Sequence, residues 1–155
     1  MTLVRAFAAS DTEAVDLITA ACTRELRRVY SPKPSAEPIL RNRSDSSRIV
    51  AVDDAEAIVG VAECIRHASA VYVQGIAVAP THRRCGVAAD LLAYGASLAA
   101  GAGCPALELA TIKETGNVEI FCRLGFRVIE ERVSDRFWSH DERPVTEVTL
   151  RRRLA

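Results

Sequence analysis

The stretch Gln74-Gly75-Ile76-Ala77-Val78-Ala79-Pro80-Thr81-His82-Arg83-Arg84-Cys85-Gly86-Val87-Ala88-Ala89-Asp90-Leu91-Leu92 decides how the rest of this chain is read. Its first part is β-prone and stops at Pro80, which has no N–H to offer a ladder. A short basic turn follows. From Gly86 onward, Val87, Leu91, Leu92, Gly95 and Leu98 fall on one side of a helix spanning 86–100. The first N–H groups of a helix have no carbonyl partner, and the helix dipole is positive there. Small residues at Gly86 and Ala88 let an anion approach that backbone, and Arg83 and Arg84 add charge beside it. The turn is an anion site that a pyrophosphate would fill. It is neither a Walker loop, which needs Gly-Lys-Ser/Thr after a first glycine, nor a G-x-G-x-x-G dinucleotide fingerprint.

Working outward, Val71–Val78 is the strand that leads into the turn, and Pro105 leads into a strand over 106–111. Upstream, 48–53 and 57–67 are rich in Val and Ile around Asp53-Asp54-Ala55-Glu56, a hairpin. Residues 2–8 read as a first strand. Ser10 or Asp11 caps a helix with Glu13 in its first turn, and Val15, Ile18, Cys22, Leu26 and Val29 form its stripe. Residues 31–38 carry three prolines and break that helix, leaving loop or short broken helix to Ser47. Downstream, Val118–Leu124 is a short helix closed by Gly125 in the left-handed position. Residues 126–133 and 145–152 form an antiparallel pair around the polar, aromatic stretch 134–144. The order β-α-loop-β-β-β-α-β-α-β-β predicts an α+β fold in three layers: a mixed, mostly antiparallel sheet with helices on both faces. Residues 1–155 read as one domain, with no repeat or linker.

The totals exclude several function classes. Twenty basic residues balance 20 acidic ones, which argues against nucleic acid as a partner. No apolar run reaches the ~20 residues of a membrane span, and residues 1–30 show no secretory signal. The five cysteines form no CxxC pair and no ligand spacing with the three histidines, so no metal is expected. Scattered thiols in odd number suit a reducing cytoplasm.

The turn, read as Arg83-Arg84-Cys85-Gly86-Val87-Ala88, resembles the Arg/Gln-x-x-Gly-x-Gly/Ala signature of the GCN5-related N-acetyltransferases (GNAT). Ile76-Ala77-Val78-x-Pro80-x-His82-Arg83 is similar to that family's lead-in. About thirty residues on, Gly116-Asn117-Val118-Glu119-Ile120-Phe121-Cys122-Arg123-Leu124-Gly125-Phe126 resembles its Asn-containing helix ending in Leu-Gly-Phe. The resemblance covers roughly residues 46–133, and the first 45 only as a β-α-loop layout. It implies a twisted sheet of about seven strands flanked by about four helices, splayed between the fourth and fifth strands of the sequence reading (71–78 and 106–111).

The resemblance also implies acetyl-CoA as cosubstrate. Its pyrophosphate would sit on the amides of Arg84, Cys85, Gly86, Val87 and Ala88, with Arg83 alongside. Its pantetheine arm would add like a strand beside Ile76, Ala77 and Val78, near Asn117 and Phe121. A main-chain N–H near Ile76 would stabilise the tetrahedral oxyanion. Two positions depart from the pattern. Phe121 stands where the family often has the tyrosine that protonates the thiolate, and reads as a packing residue. Arg84 stands where many relatives have glycine, its side chain pointing outward or reaching the 3′-phosphate. Cys85 reads as a small side chain at a tolerant motif position rather than a reactive thiol.

For the general base the residues leave alternatives open: Glu63, an acid in an otherwise apolar strand; His67 on the same strand; Glu108; and Gln74 as a water-positioner. Strand alternation puts Tyr72, Gln74, Ile76 and Val78 on one face, and His67 reads as a surface strand-end residue. The acceptor pocket is expected from the first helix, the 30–47 loop (Tyr30, Arg41, Arg43) and the 134–143 loop (Arg136, Phe137, Trp138, His140, Asp141). The expected activity is transfer of an acetyl group from acetyl-CoA to a primary amine of a small molecule, amino-acid-like compound or peptide. A non-catalytic acyl-CoA-binding sensor or partner subunit is the alternative, another acyl donor a third. A homodimer through the C-terminal strands is compatible with the sequence.

Overall fold

Val and Ile dominate the central strands, and the structure buries them on both sides of a single sheet. The computed structural model describes residues 2–37 and 45–154. Eight strands, β1 (Leu3–Ala6), β2 (Tyr30–Pro32), β3 (Ser46–Val52), β4 (Ile58–Arg66), β5 (Val71–Val78), β6 (Ala106–Ile112), β7 (Arg127–Ser139) and β8 (Pro144–Arg153), lie in the order β1-β3-β4-β5-β6-β8-β7-β2. The helices are α1 (Thr12–Leu26), α2 (Val87–Gly101) and α3 (Asn117–Arg123). All neighbours are antiparallel except β5 and β6. That parallel pair is joined through α2, as a parallel connection requires a crossover.

α2 covers one face of the sheet. Its buried Val87, Leu91, Leu92 and Ala99 pack on Ile49, Ala51, Ala62, Cys64, Val71, Val73, Leu107 and Leu109. α3 joins the same face through Val118, Phe121 and Leu124. α1 covers the other face, with Val15 and Ile18 against Val50, Val61 and Ala77. β4 is buried from Val59 to Ile65 because helices lie on both of its sides.

Five expectations change. The sheet has eight strands rather than about seven. Tyr30–Pro32, expected as loop, pairs with Phe137–Ser139 at the tip of the β7–β8 hairpin, a register set by a partner more than a hundred residues away. The stretch 134–144 is mostly strand, so the connection shrinks to residues 140–143. Among the described residues there are three α-helices rather than about four, the rest being short 3-10 turns at 9–11, 80–82 and 113–115. Asp11 stands at the N-cap of α1, as expected, but its side chain makes no cap bond there. Its carboxylate turns back to the Ala8 N–H (2.8 Å) and Arg5 (2.8 and 3.0 Å), which holds its pKa down at about 2.

Candidate functional site

The site is built where β5 ends. β5 pairs with β6 only at Val71↔Leu107 and Tyr72↔Glu108. Beyond Tyr72 the two strands separate, so the β6-facing edge of Val73–Val78 has no strand beside it among the described residues. On its other edge β5 carries a bulge. Val61 faces Ala77 and Glu63 faces Gln74, so Ala62 alone opposes Gly75 and Ile76. Gly75 has φ +62°, the left-handed conformation that suits glycine in a bulge.

The bulge changes which side chains share a face. Gln74 lies on the α1 side with Glu63. Ile76 and Val78 pack into the α2-side core, and Ala77 packs on the α1 side. The expected single face of Tyr72, Gln74, Ile76 and Val78 is therefore broken at Gly75. An isolated glycine inside a strand pattern was the available signal. The bulged Gly75–Ile76 segment also takes main-chain groups out of the ladder at the mouth of the splay.

Past Pro80–His82 the chain runs extended at Arg83 (φ −71°, ψ 153°), left-handed at Arg84 (φ 61°) and left-handed again at Gly86 (φ 81°, ψ 9°), where α2 begins. Residues 83–86 are exposed. No side chain caps α2, so its first amides have no side-chain partner. Left-handed turns of this kind gather successive N–H groups into an anion-binding concavity. A methyl at Gly86 would meet nothing within 4 Å, so the approach is open and the glycine answers to φ. Arg84, where the motif favours glycine, adopts the conformation that explains the preference.

Arg83 is committed elsewhere. Its guanidinium bonds Glu25 of α1 and reaches the Val78 carbonyl (3.4 Å) and Cys22 Sγ (3.5 Å). The Glu25 bond raises its pKa further. Arg83 ties the turn to α1 and to the end of β5. Cys85 is exposed, with Sγ 3.4 Å from the Arg83 carbonyl.

Asn117 begins α3 after Gly116, and its N–H bonds Thr115 Oγ1 (3.2 Å). The Leu-Gly-Phe end of α3 is a Schellman motif: Phe126 N–H bonds the Phe121 carbonyl (3.1 Å) and Gly125 N–H bonds the Cys122 carbonyl (3.1 Å). The accompanying apolar contact is Phe121 on Phe126, edge-to-face with centroids 6.0 Å apart. Phe121 is thus a packing residue of the helix end and has no proton to give.

On the α1 side, three side chains form a row across the sheet: Arg48 of β3, Glu63 of β4 and Gln74 of β5. With Thr19, Val61 and Gly75 they line an open cleft of about 500 Å³. Glu63 is 9% exposed, and Gln74 Nε2 donates to its Oε1 at 2.5 Å. Thr19 and Arg48 escaped the sequence reading because only strand register brings Arg48 opposite Glu63. Glu108 does not join this row. It pairs with Arg151 (2.8 Å) at the closed end of β5 and β6. His67 is exposed at the end of β4.

Of the residues expected to line an acceptor pocket, Tyr30 and Phe137 meet edge-to-face at 5.2 Å, with Arg27 over Tyr30 and Arg136 over Phe137. Trp138 lies beside them in β7, opposite Ser31. Asp141 bonds Ser139 and pairs with Arg143, while His140 is exposed on the hairpin turn. Arg41 and Arg43 lie outside the described residues. Among those residues no group of three His, Cys, Asp or Glu could hold a metal, and no helix is long and apolar enough to cross a membrane.

The sequence matches the model of the acetyltransferase (GNAT) family over residues 14–126. No curated protein sequence matches it. Similar solved structures include a GCN5-related N-acetyltransferase from Kribbella flavida, at 21% identity and TM-score 0.75 over 99% of this chain and 98% of that one. Nourseothricin acetyltransferase aligns at 18% identity and TM-score 0.74 over 99% of each chain. An aminoglycoside 6′-N-acetyltransferase complexed with coenzyme A aligns at 11% and 0.69 over 97% of this chain and 96% of that one. At such identities the likeness is one of fold. The family model spans most of the chain, and this protein belongs to the acetyltransferase (GNAT) family.

Proposed function

We propose that this protein moves an acetyl group from acetyl-CoA to a primary amine by direct attack. The observation that carries the reading is the junction of three features at the end of β5: an unpaired strand edge, a bulge at Gly75–Ile76, and an uncapped helix N-terminus after two left-handed residues. The amides of Arg84 through Ala88 would hold the pyrophosphate, and the edge of Ile76–Val78 would hold the amide-bearing arm as an added strand. The N–H near Ile76 would meet the oxygen that becomes negative during attack. Losing one such donor costs about 3–4 kcal/mol in enzymes where it has been removed.

On the other side of the sheet, Glu63 would take a proton from the acceptor ammonium, directly or through a water held by Gln74, so that the neutral amine attacks. The 2.5 Å bond between them fixes the carboxylate in the cleft. Phe121 leaves the departing thiolate to a water, since its ring is locked on Phe126. The free cysteines suit a reducing cytoplasm.

The test follows acetyl-CoA turnover as free thiol against amines, amino acids and short peptides. The expected result is release that depends on acceptor, with kcat reduced about 10²–10⁴-fold in Glu63→Gln and the acetyl-CoA KM held. A second reading, a non-catalytic acyl-CoA sensor or partner subunit, is favoured by the locked Phe121. Protection against heat by acetyl-CoA with no thiol release across the panel would establish it and refute the transferase.

A further inference from the structure

The acceptor cleft carries a charge pattern as well as a base. Arg48 and Glu63 are directly opposed on β3 and β4, and Glu63 faces Gln74 on β5, so cation, anion and amide stand in that order toward the splay. Neighbouring strands are about 4.8 Å apart. Arg48 is exposed, and among the described residues no carboxylate lies within ion-pair distance of it. Its guanidinium rests 4.2 Å from the centroid of the Phe7 ring. Stacking on a ring face leaves the edge donors of a guanidinium available for a planar, bidentate anion. Thr19 of α1 adds a hydroxyl above the row.

We infer that Arg48 reads a carboxylate on the acceptor, and that the substrate class is an amino acid whose amine and carboxylate span Glu63 and Arg48. This inference rests on the transferase reading above and names its acceptor. The order of the row sets the direction. An amine near Glu63 and Gln74 lies next to the bulge, where acetyl transfer would occur, and its carboxylate points away, one strand further from the splay. A simple amine reaches Glu63 and leaves Arg48 without an anion.

The experiment compares kcat/KM for matched pairs, phenylalanine with phenethylamine, tyrosine with tyramine and leucine with isoamylamine, at saturating acetyl-CoA. A charge-assisted bidentate contact predicts that the amino acid leads its decarboxylated partner by about 10- to 100-fold, mostly through KM, as a contact shared by ground and transition states should. In Arg48→Met, which keeps the stem on Phe7, that ratio collapses toward one. In Arg48→Lys part of it returns. Melting curves with acetyl-CoA check that each variant is folded and binds the cosubstrate. A ratio at or below one in the natural protein, or a ratio that survives Arg48→Met, overturns the inference and leaves the transferase reading standing. No turnover with either member of any pair overturns the inference, and the transferase reading falls with it only when the short peptides fail as well.

Discussion

A single methyl group at Gly60 tests both the packing and the proposed anion site. Gly60 lies in β4 beneath the first turn of α2. A Cβ there would stand 2.7 Å from Val87 Cγ1 and 3.2 Å from Leu91 Cδ1, against about 3.5–4.0 Å for a comfortable carbon contact. Val87 is 2% exposed and β-branched, so its χ1 in a helix has no easy alternative. The methyl must move α2 off the sheet. Overpacking of this kind costs about 1–3 kcal/mol, and at about 2–4 °C per kcal/mol for a chain of this size Gly60→Ala should melt roughly 2–12 °C lower. Val87 also heads the helix whose first amides are proposed to hold the pyrophosphate, so the acetyl-CoA KM should rise with the loss of stability. Val87→Ala removes the clashing carbon and alone costs about 1.6 kcal/mol or more. Urea unfolding of the four proteins closes the cycle. The double variant should be more stable than the sum of the single losses by about 1–3 kcal/mol. Additivity within about 0.5 kcal/mol, or a Gly60→Ala protein as stable as the parent, would refute the close approach of α2 to β4.

Arg84→Gly should stabilise the protein. The left-handed conformation disfavours a residue with Cβ by roughly 1–2 kcal/mol, while glycine frees the unfolded chain by roughly 0.4–1 kcal/mol. A small net gain of about 0.5–1 kcal/mol is expected in urea unfolding, and a loss would contradict the φ of 61°. Asp11 supplies a pH signature, because its folded pKa of about 2 lies below the ordinary carboxylate value. Its contribution is therefore present above about pH 4 and is lost as pH falls toward 2. Acid titration of stability should show that loss in the parent and a flatter curve over the same window in Asp11→Asn; identical curves would show that the Arg5 and Ala8 bonds do not persist in solution.

Much of the fold was legible because its signals are local. Pro80 ends a strand, the stripe from Val87 to Leu98 makes a helix, and Leu-Gly-Phe closes another through bonds between residues five apart in sequence or fewer. β2 was not legible. Tyr30-Ser31-Pro32 has no strand pattern of its own and becomes one only because the hairpin tip offers a register. Strand alternation failed at Gly75 for a related reason. A bulge is a mismatch between two strands, and one strand read by itself shows only a glycine.

The same division runs through the site. The sequence by itself marked the turn before α2 as the candidate anion site, since Arg83, Arg84, Gly86 and Ala88 are neighbours in the chain at a helix start. It also placed Glu63 among the candidates, as an acid in an apolar strand. Only the tertiary structure set these candidates in different surroundings. It joined Glu63 to Gln74, withdrew Glu108 into an ion pair with Arg151, turned Arg83 toward α1 and set Arg48 opposite Glu63. Each depends on register between strands or on a helix laid across them, and long-range pairing is settled by the packing of the whole sheet rather than by any window of the chain.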